Sequence, residues 1–91
     1  MGVVRKLKPA HPDGITLDEA KTEAAEMPMC GGFVVYDNRV YFKHMHACME
    51  RTMEKQADSE FYLKDGGYEV SIHMTEHYFK RYHGHRARYV R

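Results

Sequence analysis

A chain of 91 residues, 43% hydrophobic and 30% charged, holds one domain with one core and is too apolar to be wholly disordered. Its longest apolar run, residues 33–36, excludes a membrane helix, which needs about 20 such residues. The net charge of +1 hides an uneven layout: acids gather in residues 13–26, and no acid follows Glu76, where Lys80, Arg81, Arg86, Arg88 and Arg91 accumulate.

Residues 1–14 read as a basic, proline-containing lead segment. It lacks the apolar stretch of a secretory signal. Lys6 stands where a myristoylation motif has Ser or Thr. Two cysteines, Cys30 and Cys48, are too few for a disulfide framework. The expectation is a reduced, cytoplasmic, single-domain protein with no membrane association.

Thr16 and Glu19 have the spacing of a capping box, and Leu17, Ala20, Ala24 and Met27 fall on one face before Pro28. The spacing predicts a helix over 17–27. Residues 33–42 predict a hairpin turning at Asp37-Asn38, with Phe33, Val35, Val40 and Phe42 on one side. Val34, Tyr36, Arg39 and Tyr41 take the other. Over 44–57 the period changes: Met45, Met49, Met53 and Ala57 at i, i+4 spacing predict an amphipathic helix.

A second hairpin is expected over 60–72, turning at Asp65-Gly66-Gly67, with Phe61, Leu63, Tyr68, Val70 and Ile72 on one face. Thr75 then caps a short helix over 75–83, stopped by Gly84 in the left-handed conformation. Residues 84–91 form a basic tail. The expected fold is α+β: an N-terminal helix followed by two β-hairpin–helix units. Their four strands make an antiparallel sheet with helices on one face. The two units, 33–57 and 61–83, are similar in length, and both carry His-Met at the strand-to-helix junction. These identities are too few to establish a duplication.

Seven histidines are out of proportion for this length. His73-Met74-Thr75-Glu76-His77 matches the H-x-x-E-H pattern of inverted zinc peptidases. No acidic third ligand follows, and too little chain remains for that fold. Cys30, His44, His46 and Cys48 are a second candidate metal set, with His44 and Cys48 one helical turn apart. They lack the short C-x-x-C knuckle, and the competing reading of two buried thiols with polar capping histidines is preferred. No metal and no cofactor are expected. The two serines, Ser59 and Ser71, sit in strand-like contexts, and neither a phosphate-binding loop nor a dinucleotide fingerprint occurs. The chain is therefore expected not to be an enzyme.

Two binding surfaces remain. Tyr36, Arg39, Tyr41 and Tyr62 would stand on the sheet side that helices leave open, and Tyr and Arg are the residue types enriched at binding hot spots. This predicts a small interaction protein that occupies and modulates a partner protein, as an inhibitor or adaptor does and as virus-encoded accessory factors do. The alternative is nucleic-acid binding by Lys80, Arg81, Arg86, Arg88 and Arg91 interleaved with Tyr78, Phe79, Tyr82 and Tyr89. No nucleic-acid-binding signature accompanies that segment.

Overall fold

The helix begins at Thr16. Its hydroxyl accepts from the Glu19 N–H at 3.1 Å, while its own N–H donates to the Glu19 carboxylate at 3.0 Å. That reciprocal cap starts helix α1, Leu17–Glu26. Ala20 and Ala24 are wholly buried, so the helix backbone lies close on the sheet beneath it. In the computed structural model, residues 3–48, 53–64 and 79–87 are described.

The expected hairpin forms in its expected register. Strand β2, Cys30–Tyr36, pairs with β3, Arg39–His44, matching Phe33 with Phe42, Val35 with Val40 and Tyr36 with Arg39. Asp37 and Asn38 both take positive φ (50° and 57°), which suits the right-handed twist of the flanking strands. Strand β1, Val4–Lys6, was not foreseen; it adds to the far side of β3, with Val4 opposite Tyr41 and Lys6 opposite Arg39.

The rest of the expected architecture is corrected. In place of two hairpin–helix units and four strands there is one five-stranded antiparallel sheet, ordered β1-β3-β2-β4-β5, with a single α-helix among the described residues. No α-helix forms over residues 44–57 where described. A 3-10 turn, Met45–Ala47, follows β3, and β4, Met53–Lys64, takes the remainder. The methionine spacing permits a helix, but α1 already covers the sheet. Met53 instead packs with Val34 and Phe61 on the opposite side, so tertiary contacts override the local period. Residues 79–83, expected in a helix, open β5, Phe79–Ala87. Alternation along this strand sends Phe79 to one core cluster and Tyr82 to the other. The expected strand over 68–72, with Val70 and Ile72, lies outside the described residues.

Register decides which faces are buried. β4 pairs with β2 so that Tyr62 meets Phe33 and Phe61 meets Val34. Phe61 and Leu63 therefore share the face of Val34 and Tyr41, not the expected face of Phe33 and Val40. Under α1, the first core gathers Ile15, Ala20, Ala24, Cys30, Phe33, Val40, Phe42, Tyr62 and Phe79. On the other face, Val34, Cys48, Phe61 and Ala87 are buried, with Tyr41, Met53, Leu63 and Tyr82 packed against them. The sheet is apolar on both sides.

The second face is covered by the sheet itself. β4 advances from Lys55 to Glu60 while β5 advances only from His85 to His83, so the ladder slips there. Asp58 (φ 63°) and Gly84 (φ 70°) sit at the slip. The extra residues bend the strand pair. Its far end, where Met53 pairs with Ala87, thereby curls back over Val34 and Phe61. Gly84 takes the left-handed conformation that was expected, but inside a strand instead of after a helix. Among the described residues, no helix is long and apolar enough to cross a membrane.

Candidate functional site

The curl leaves a cleft of about 270 Å³ between the β2–β3 face and the returning end of β4–β5. Val34 and Tyr36 of β2, Tyr41 and Lys43 of β3, and Gln56, Arg86 and Ala87 of the returning arm line it. Alternation along β3 puts Arg39, Tyr41 and Lys43 on this one face, and the pairing with β1 adds Lys6 and Val4. Tyr36 and Val4 remain 40% and 47% exposed, although both are large and apolar in body.

The cations on this face differ in what they already hold. Arg39 donates to the Asp37 carboxylate at 3.1 Å and to its carbonyl at 3.2 Å, which ties it to the hairpin turn. Arg86 pairs with Glu54, its neighbour across the β4–β5 ladder. Lys43 stands with its ammonium 5.9 Å from the Tyr41 ring centroid, in reach of a cation–π attraction. Among the described residues no carboxylate forms an ion pair with Lys43 or Lys6. Lys43 was missed in the sequence, though its period-two spacing from Arg39 and Tyr41 carried the signal. Lys6 had none, because β1 was not recognisable.

Of the four residues expected to meet a partner, the structure brings Tyr36, Arg39 and Tyr41 together. Tyr62 goes elsewhere. Only 7% exposed, it stacks on Phe33 with centroids 4.8 Å apart, beneath the Lys21 ammonium. Burial raises its phenol above the ordinary tyrosine value.

The basic segment is not one stripe. Lys80 and Arg81 point to opposite faces of β5. Arg81 grips the Glu60 carboxylate at two points, 3.2 and 2.5 Å, and His83 Nδ1 lies 2.7 Å from the same group. The Arg81 hydrogen bonds hold the Glu60 carboxyl below the usual carboxylate value. Arg88 and Arg91 lie outside the described residues.

Within the candidate metal set, the Cys30 and Cys48 thiols stand close enough for their charges to interact. Cys30 belongs to the core under α1 and Cys48 to the core on the other face. Their thiols reach the carbonyl oxygens of Gly32 (3.1 Å) and Lys43 (3.8 Å). Burial raises the Cys30 thiol and pushes Cys48 up to about 12. His44 Nδ1 accepts from the His46 backbone N–H at 3.2 Å, and the two rings stack 4.7 Å apart. His44 ends a strand, so the expected helical spacing from Cys48 does not occur. Among the described residues, no three His, Cys, Asp or Glu side chains are placed to hold one ion. The H-x-x-E-H string lies outside them.

No family model, characterised protein or solved structure matches this chain. The functional reading therefore rests on the cleft and its rim.

Proposed function

We propose that this chain is a non-catalytic binding protein that acts by occupying the surface of a partner protein, with Tyr36, Arg39 and Tyr41 as its contact centre. The supporting observation is their placement. They stand on one face beside a side-chain-sized cleft, with Tyr36 exposed and Arg39 hydrogen-bonded to Asp37. Large aromatics beside a guanidinium are the side-chain types that carry most binding energy at protein interfaces. Both cysteines are free and buried, which fits a reducing compartment such as the cytoplasm.

Tyr41 also packs against the second core, so Tyr36→Ala/Arg39→Ala is the cleaner test. That variant should fold as the parent does and lose capture of its partner from native lysate. Arg88→Ala/Arg91→Ala should keep it. Truncation of the tail is unsuitable as a control, because Ala87 is buried. Nuclease-sensitive capture, lost with the tail arginines and kept without Tyr36 and Arg39, would overturn the proposal in favour of nucleic acid.

A further inference from the structure

We infer that the occupant of the Tyr36–Tyr41 cleft is an acidic segment of the partner, seated with a carboxylate on Lys43 and a second negative charge near Lys6. This deepens the reading above and rests on it.

Charge carries the inference. Asp37 and Glu54 lie beside this face, and each is already bound to an arginine. Among the described residues, neither Lys43, which lines the cleft, nor Lys6, on the same face opposite Arg39 in the β1–β3 ladder, has a carboxylate partner. An ammonium beside a low-dielectric wall of Val34, Tyr41 and Ala87 attracts an anion more strongly than one in open water. A carboxylate reaching Lys43 makes a charge-assisted hydrogen bond there, and the Tyr36 and Tyr41 rings cover the hydrocarbon of its neighbours.

Size and layout favour a peptide over a nucleic acid. About 270 Å³ holds one or two side chains and falls below the usual range for cofactor-sized ligands. A phosphate polymer is tracked by a row of cations that release many counterions. Among the described residues of this face, Lys6 and Lys43 have no carboxylate partner, while Arg39 and Arg86 are each paired with one.

The test is selection of a random octapeptide display library on the intact chain. Bound sequences should be enriched in Asp and Glu. Enrichment should vanish on Lys6→Glu/Lys43→Glu and survive on Lys6→Arg/Lys43→Arg. A selected peptide should lose about tenfold in affinity when its acids become amides. Neutral or basic selected sequences, no selection at all, or enrichment unchanged by the charge reversal would overturn the inference. So would a 12-nucleotide single strand that binds more tightly than the peptides at the same salt. If these outcomes fail while Tyr36→Ala/Arg39→Ala still loses the partner, the contact surface stands and only its acidic preference falls.

Discussion

The Tyr62 ring lies almost flat on Phe33, with centroids 4.8 Å apart and planes 15° from parallel. Phe33 is wholly buried, and Phe42 and Phe79 pack tilted against it at 5.9 and 5.4 Å. Tyr62→Ala should therefore remove about 3–5 kcal/mol of stability, as for other buried aromatics. Tyr62→Phe should change it little. Urea unfolding measures both. A Tyr62→Ala protein as stable as the parent but unable to hold its partner would return this residue to the contact surface.

Burial of both sheet faces has its own signature. Val40 and Val34 point to opposite sides and are 0% and 4% exposed. Either valine replaced by Asp puts an unpaired charge into a core, so both variants should fail to fold by circular dichroism. A sheet with one wet face would tolerate Val34→Asp and reject only Val40→Asp. A folded Val34→Asp protein counts against the curl of β4–β5 over that face.

The two glycines with positive φ should rank by space. At Gly32 (φ 156°) a Cβ would stand 2.3 Å from the Tyr62 carbonyl oxygen, inside the β2–β4 ladder. At Gly84 (φ 70°) it would meet nothing within 4 Å. Gly84→Ala should cost about 1–2 kcal/mol, the strain of the left-handed conformation alone. Gly32→Ala should cost more, because backbone must move. Thermal melts of the pair give the order.

Thiol chemistry should report the folded state. Burial raises both thiols, Cys48 to about 12, and they are 1% and 8% exposed. At pH 8 an aromatic disulfide reagent should label neither residue of the native protein and both after denaturant is added. Rapid native labelling at Cys48 would show that the second core opens.

Acid should weaken the β4–β5 pair at Glu60. Arg81 lowers its carboxyl, with His83 assisting, so the folded pKa lies below the unfolded one. A depressed carboxylate contributes stability above its unfolded pKa of about 4.3 and loses it as pH falls through the folded value. Glu60→Gln should therefore be less stable than the parent at pH 7 and lose less on acidification. Parallel melts at both pH values check the sign; equal losses would mean the pair contributes nothing.

Local signals in the sequence determined local structure. Thr16 with Glu19 marked the start of α1, and Asp37-Asn38 set the β2–β3 register, because caps and tight turns depend on a few neighbouring residues. That register also put Tyr36, Arg39 and Tyr41 on one face. The partners of β4 and β5 were decided only by the tertiary structure. Residues 53–64 and 79–87 carry apolar groups compatible with either period, and which period wins depends on which surfaces remain uncovered. The β2–β4 pairing sets Tyr62 opposite Phe33 and Phe61 opposite Val34, which puts Tyr62 in the core under α1 and Phe61 on the far face. The cleft exists for the same reason. It is made where distant strands curl together, so Lys43, Gln56 and Arg86 became neighbours through long-range packing that no local pattern encodes.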